Sequence, residues 1–132
     1  MESTGRLTVR VYVSQAQIPV EGATVVVTAP GEGGRLRLLS VQATDSSGEI
    51  RPIDIAAPAL AESESPQGAG EAPPYSVCDV WAEHPGYAML EAAGVQIFPG
   101  VETVQTMELL PLSRGQSSLE RLDVREITPQ SL

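Results

Sequence analysis

Two side chains in this sequence, Cys78 and His84, are of the types that serve as nucleophiles, bases or metal ligands. Each is the sole residue of its kind in the chain. A cysteine nucleophile needs a base within hydrogen-bond reach, and a zinc site needs several converging ligands. If the segment between them is extended, the two residues lie roughly 20 Å apart at about 3.3 Å per residue. We therefore expect Cys78 to be a buried structural thiol and His84 a solvated turn residue.

Carboxylates are the other candidates for chemistry, because pairs of them can act as acid and base or bind calcium. Glu62, Glu64 and Glu71 fall in a segment without the Asp-rich pattern of a calcium loop, so a solvated acidic loop is favoured. Residues 45–49 are typical of a hairpin turn. Residues 30–34 are glycine-rich but lack the Lys and following helix of a phosphate loop. We predict no catalytic residue, no cofactor and no metal site.

Composition narrows the function further. The 132 residues suit one domain. The eight basic residues are all Arg and face 17 acidic ones, which argues against nucleic-acid binding. No apolar stretch approaches the roughly 18 residues that would predict membrane insertion. No signal peptide is recognised, so the default expectation is a cytoplasmic protein.

Short β-branched segments separated by turn signals dominate the chain. In residues 5–13, Leu7, Val9 and Val11 alternate with polar residues, as in a half-buried strand. Such spacing predicts an all-β sandwich of seven or eight strands. The predicted strands cover residues 5–13, 23–28, 36–44, 50–55, 75–83, 88–92, 95–98 and 102–110.

Several local features qualify this arrangement. Pro52 makes residues 50–55 an expected edge strand. Residues 75–83 form an expected central strand in which two alternations of apolar residues are out of step, and a bulge near Cys78 and Asp79 would reconcile them.

We predict a sandwich over residues 1–112 with a long flexible loop at 56–74. The tail at 113–132 is expected to be weakly ordered or a short helix, with a strand as the other possibility.

Four short motifs together resemble the carboxypeptidase regulatory-like domain. They are Gly-Arg-Leu-Thr-Val at 5–9, Pro-Val-Glu-Gly-Ala-Thr-Val at 19–25, Thr-Asp-Ser-Ser-Gly at 44–48 and Pro-Gly-Tyr at 85–87. The resemblance covers residues 5–112. It implies a prealbumin-like (transthyretin-like) Greek-key sandwich.

A narrower resemblance is carried by residues 73–77 leading into Gly86 and Tyr87, and by residues 95–101 and 105–112. These segments are similar to a clostridial group that includes free-standing domains and the N-terminal region of spore cortex-lytic enzymes. In those enzymes such a domain precedes the catalytic part. The resemblance therefore implies an accessory, spore-associated role in cortex or cell-wall processing rather than hydrolysis.

Chemistry known in proteins of related topology is incompatible with this composition. An isopeptide crosslink requires a Lys, and the sequence has none. Transthyretin-like hydroxyisourate hydrolases use more than one His and end in Tyr-Arg-Gly-Ser. Intradiol dioxygenases hold iron with two Tyr and two His, whereas this chain has one His. We expect that the protein is not an enzyme.

The sequence thus favours an acidic structural or protein-binding module, with a carbohydrate- or peptidoglycan-binding module as the alternative. Its partner would be a protein or a cell-wall component. Aromatic side chains often supply the contacts at such surfaces. The candidate interaction surface consists of Tyr75, Trp81, Tyr87 and Phe98.

Overall fold

The computed structural model describes residues 3–14, 16–57 and 75–112, together with the backbone course of 122–126. These residues form nine strands and a short 3-10 turn at Glu32–Gly34, and none of the described segments is a helix that could cross a membrane. Two mixed sheets stack face to face, which confirms the predicted all-β Greek-key sandwich of prealbumin type. The strands are β1 Ser3–Val13, β2 Ile18–Pro19, β3 Thr24–Pro30, β4 Leu36–Ala43, β5 Ile53–Ala57, β6 Ser76–Glu83, β7 Met89–Ile97, β8 Glu102–Leu109 and β9 Leu122–Glu126.

The first sheet is organised around β1. On one side β1 pairs in parallel with β8, from Arg6 opposite Glu102 to Val13 opposite Leu109. On its other side β1 pairs antiparallel with β5 near its start and with the two-residue β2 at its end. β5 therefore lies at the edge of the described sheet, as Pro52 just before it predicts.

The second sheet has the order β4-β3-β6-β7-β9. β3, β4, β6 and β7 pair antiparallel, while β9 joins β7 in parallel. β6 is central in this sheet, as predicted. β4 lies at one lateral edge.

The core is aliphatic because alternate residues of each strand point between the sheets. β1 contributes Leu7, Val9 and Val11, all fully buried. The second sheet contributes Val and Ala side chains together with Leu90 and Ile97 of β7. The largest fully buried side chains are Leu7, Ile97, Met107, Leu109, Val9, Val11, Val25, Val27, Val80 and Val95.

The turn at residues 44–50 connects the two sheets. Asp45 Oδ1 accepts hydrogen bonds from the backbone N–H groups of Ser47 (2.8 Å) and Glu49 (3.0 Å), as in an Asx turn. Gly48 has a φ of +76°, and its carbonyl oxygen accepts a hydrogen bond from Val11 N–H at 2.7 Å. The buried Thr44 hydroxyl accepts from Ala23 N–H at 2.9 Å. The tight turn predicted here is confirmed, but it connects strands of different sheets and is therefore not a hairpin.

β7 differs from the sequence prediction of two short strands divided at Gly94. It is one strand with a bulge, in which Ala93 and Gly94 together face Asp79 of β6. Gly94 has a φ of +75°, and its N–H donates to Asp79 Oδ1 at 3.0 Å. The pairing irregularity lies where predicted, but the extra residue belongs to β7. β6 keeps a continuous alternation, with Cys78 buried.

Two predicted segments lie largely outside the described residues. The loop predicted at 56–74 begins within β5, which includes Ala56 and Ala57, and 58–74 are not described. In the predicted tail, the structure describes β9, which corresponds to the strand alternative rather than the helix.

Candidate interaction surfaces

Cys78 lies on the inner face of β6 and is fully buried. Burial, with a smaller contribution from the charge of Asp79, raises the pKa of the thiol to about 12. The thiolate is the reactive form of cysteine. Cys78 is therefore a protonated core side chain, suited to packing rather than to nucleophilic attack.

His84 lies directly after β6, in the turn that leads to β7. Its ring Nδ1 donates to the Pro85 carbonyl oxygen at 2.9 Å. The ring also meets Tyr87 edge to face, with centroids 5.7 Å apart. His84 is half-buried against these turn residues, whereas Cys78 points into the core.

The carboxylates of the described residues do not converge on a common point. Asp45 is bonded within its turn, and Asp79 is bonded to the bulge at Gly94. Within the described part of the chain, no cluster of three or more His, Cys, Asp or Glu residues could hold a metal ion. Glu62, Glu64 and Glu71 lie outside the described residues.

Three of the four candidate aromatic side chains lie at the two ends of the β6–β7 hairpin. Tyr75 and Phe98 pack at its open end, with ring centroids 5.5 Å apart. Tyr87 lies at the turn end, where it packs against the core and its backbone bridges to Pro111. The fold therefore divides this predicted surface, with roughly 20 Å of strand between the ends at about 3.3 Å per residue.

Trp81 occupies a third position, on the outer face of the second sheet. It pairs with Val26 on one side and Glu91 on the other, and Val26 in turn pairs with Val41. These four residues form one row across the sheet, and we call them the outer row. Val41 is 56% exposed, while Trp81, Val26 and Glu91 are half-buried. An aliphatic and aromatic strip is thus presented to solvent.

One acidic group, Glu91, belongs to the outer row, and another, Asp79, lies next to it. Burial, and then the nearby charge of Asp79, raises the pKa of the Glu91 carboxyl above its usual range. Asp79 and Leu38 both pair with Thr28 of β3, so they lie in the row next to Trp81. The indole therefore has apolar neighbours on the β4 side, Glu91 on the β7 side and Asp79 two residues away on its own strand.

β4 exposes the largest aliphatic side chains of the second sheet. Leu36 is 60% and Leu38 61% exposed, on a strand paired only with β3 among the described residues. Arg35 and Arg37 are also exposed and give this edge a positive charge. This surface was not among those predicted from the sequence. Leu36, Leu38 and Val41 could have indicated it, because they leave no clean apolar alternation in residues 36–44.

β8 forms an edge of the first sheet, paired with β1 alone in the part of the chain that the structure describes. A groove of about 380 Å³ runs beside it, with Val95 and Phe98 from the β7 region and residues 101–105 among its lining. Val101 is 49% and Val104 54% exposed. Glu102 and Glu108 add negative charge to this strand, so the two lateral edges differ in sign.

Comparison with known proteins supports the fold alone. No protein-family model and no curated protein matches the sequence. A variant of catechol 1,2 dioxygenase from Acinetobacter radioresistens is similar in structure, with 15% identity and a TM-score of 0.51, over 92% of this chain and 58% of that one. The chain is thus similar to a β-sandwich domain at an identity that carries no information on activity.

Two pilins have lower TM-scores against this chain. A minor pilin of Streptococcus agalactiae has 15% identity and a TM-score of 0.49, over 88% of this chain and 48% of that one. The shaft pilin of Lactobacillus rhamnosus GG has 14% identity and a TM-score of 0.48, over 84% and 47%. The chain therefore spans about half the length of each of the three similar proteins.

Proposed function

We propose that this domain is a non-catalytic structural module that binds other proteins through the surfaces of its sheets. The observation that carries the proposal is the separation of its reactive side chains. The Cys78 thiol is protonated in the core, His84 is bonded in a turn, and Asp79 is bonded to a bulge. Each has a structural partner that accounts for its position.

The distribution of exposed aliphatic residues supports a binding role. Contiguous exposed apolar patches on soluble proteins commonly mark interaction sites. Here the exposed large aliphatic residues concentrate on β4 and at the start of β8, rather than being scattered over all the strands. They are Leu36, Leu38, Val41, Val101 and Val104, with Ile18 on β2 as the exception.

Capture of partners by matched variants tests this proposal. Val41→Asp and Val104→Asp each place a charge in an exposed patch, and both are expected to abolish capture of a partner that the wild-type domain retains. Ile18→Asp makes the same chemical change at a residue of similar exposure, 54% against 56% and 54%. It should leave capture intact. Equal capture by all four proteins, or turnover of a substrate that depends on Cys78 or His84, would contradict the proposal.

An accessory role in spore cortex or cell-wall processing is the finer form of the proposal. Its support is the sequence resemblance carried by residues 73–77, 95–101 and 105–112. We expect the domain to co-purify with a cortex-lytic enzyme from sporulating cells. Expression confined to vegetative growth would argue against this role.

Carbohydrate binding is the second candidate, favoured by the position of Trp81 on the outer row. A half-exposed indole next to the carboxylates of Asp79 and Glu91 offers a stacking surface with hydrogen-bond acceptors beside it. Trp81 is the single Trp, so its fluorescence reports on this surface directly. Titration with peptidoglycan fragments should shift that emission. An unchanged spectrum at millimolar ligand would exclude the surface as a sugar site.

A further inference from the structure

The two lateral edges of the sandwich differ in a way that makes them complementary. β4 carries exposed aliphatic residues beside Arg35 and Arg37, whereas β8 borders a groove lined by both apolar and polar side chains and carries Glu102 and Glu108. An unpaired strand edge offers a row of backbone donors and acceptors to another strand. Opposite charges flanking apolar residues favour pairing of unlike edges over like ones.

The edges also lie on opposite sides of the molecule. β8 contacts β7 across the sandwich, and β7 is separated from β4 by β6 and β3 in the second sheet. A contact between β4 of one copy and β8 of another therefore leaves a free edge at each end of the pair. Such a heterologous contact extends to further copies unless rotation closes it into a ring.

The groove beside β8 has the form that an added strand requires. β8 forms its wall, and Val95 and Phe98 contribute from the β7 region. Among the described residues, β9 pairs with β7 from Met89 to Ala93. In an added strand, alternate residues face the groove and the solvent.

The sequence of β4 matches this pattern. Leu36 and Leu38 are two residues apart, so they share one face, while Arg35 and Arg37 share the other. With the two leucines on the groove, both arginines would lie on the solvent side. Glu102 and Val104 of β8 lie on that side, and Thr103 between them lies on the other face. Apolar contact and charge complementarity then agree in a single orientation.

We propose that the sandwich self-assembles head to tail, with β4 of one copy adding to β8 of the next. This inference rests on the proposed function and names a second copy of this chain as the partner. Sedimentation of the wild-type protein over a range of concentrations should show a ladder of oligomers. A monomer at every concentration up to the millimolar range would overturn self-assembly, while partner capture by the same protein would leave the proposed function intact.

Edge-blocked variants separate head-to-tail assembly from symmetric pairing. Leu38→Asp blocks β4, and Val104→Arg blocks β8 because its guanidinium would face Arg35 and Arg37. Both changes are at exposed positions where folding should be retained, which circular dichroism would verify. Each variant alone should be monomeric, and their equimolar mixture should form a heterodimer and nothing larger. Ile18→Asp should retain the wild-type ladder. A dimer of either blocked variant alone would instead demonstrate pairing of like edges and overturn the proposal.

Charge complementarity is tested in the same mixture. Arg37→Gln in the Val104→Arg partner should weaken the heterodimer about 2- to 5-fold, the range for an exposed ion pair. Arg51→Gln makes the same change in net charge at an exposed residue outside β4 and should leave the affinity unchanged. Equal affinities of the two proteins would overturn the charge-based choice of β4 as the occupant.

Discussion

The inner and outer faces of the second sheet are built from alternate residues of the same strands, yet they differ in almost every physical property. Val25, Val27 and Val80 on the inner face are at most 1% exposed. Val26 and Trp81 on the outer face are half-buried, and Val41 is 56% exposed. The comparison teaches that similar apolar side chains one position apart can serve stability in one case and surface recognition in the other. Composition cannot distinguish these uses.

Placing a charge on each face gives the largest expected difference. Val27→Asp buries a carboxylate among aliphatic side chains with no partner, and we expect the domain to be unfolded at neutral pH. Val41→Asp puts the same group in solvent, and its free energy of unfolding should change by no more than about 0.5 kcal/mol. Urea unfolding followed by circular dichroism measures both. A folded Val27→Asp protein would show that the inner face is not a packed core.

Asp79 lies on the outer face, yet we expect it to contribute to the stability of the fold. Its carboxylate accepts the Gly94 N–H of the bulge. Asp79→Ala removes that acceptor, so we expect a loss of about 1–2 kcal/mol in the free energy of unfolding. Asp79→Asn keeps an acceptor oxygen and should lose less. Equal losses for the two variants would mean that the charge of Asp79, and not its bond to the bulge, stabilises the fold.

Cys78, on the inner face, should make the stability of the domain depend on alkaline pH. Burial raises the pKa of its thiol to about 12 from 9.0, so between these values the folded chain retains a proton that the unfolded chain has lost. Stability therefore falls as pH rises above 9 and should be lower by about 1 kcal/mol at pH 10 from this group. Unfolding of the wild type and of Cys78→Ala should be compared at pH 7.5 and pH 10. An identical pH dependence in both proteins would show that the thiol is solvated.

Glu91 should give the smallest effect, because it lies on the half-exposed outer face. Its pKa is raised by burial and by Asp79, so the folded chain holds its proton where the unfolded chain has released it. Stability from this group is thus present at acidic pH and declines as pH rises through the raised pKa. Glu91→Gln should flatten that decline in thermal unfolding between pH 4 and pH 7. A steeper decline in the variant would contradict the raised pKa.

Local patterns in the sequence predicted much of the fold. The alternation of Leu7, Val9 and Val11 located the core face of β1. Thr-Asp-Ser-Ser-Gly at 44–48 located the turn that follows β4. These features depend on residues close together in the chain, where period and turn chemistry are decisive. The central position of β6 and the edge position of β5 also followed from their sequences.

Pairings between distant segments were not predictable from the same patterns. The parallel pairing of β1 with β8 joins residues such as Arg6 and Glu102, and no local signal specifies it. The position of the extra residue at Gly94 depends on the register between β6 and β7. The predicted interaction surface failed for the same reason. Tyr75, Trp81, Tyr87 and Phe98 were grouped because all are aromatic, but the strand register places them in three separate parts of the domain.

The pairing of β1 with β8 has a consequence for synthesis on the ribosome. β1 is the first strand to be made, and its full-length neighbour is not complete until Leu109 has been added. Throughout that interval an 11-residue strand rich in Val lacks most of its hydrogen-bond partners. Completion of the first sheet must therefore await synthesis of β8, and sequence-distant pairing of this kind closes slowly. During translation, β1 must therefore be shielded by the exit tunnel and by chaperones.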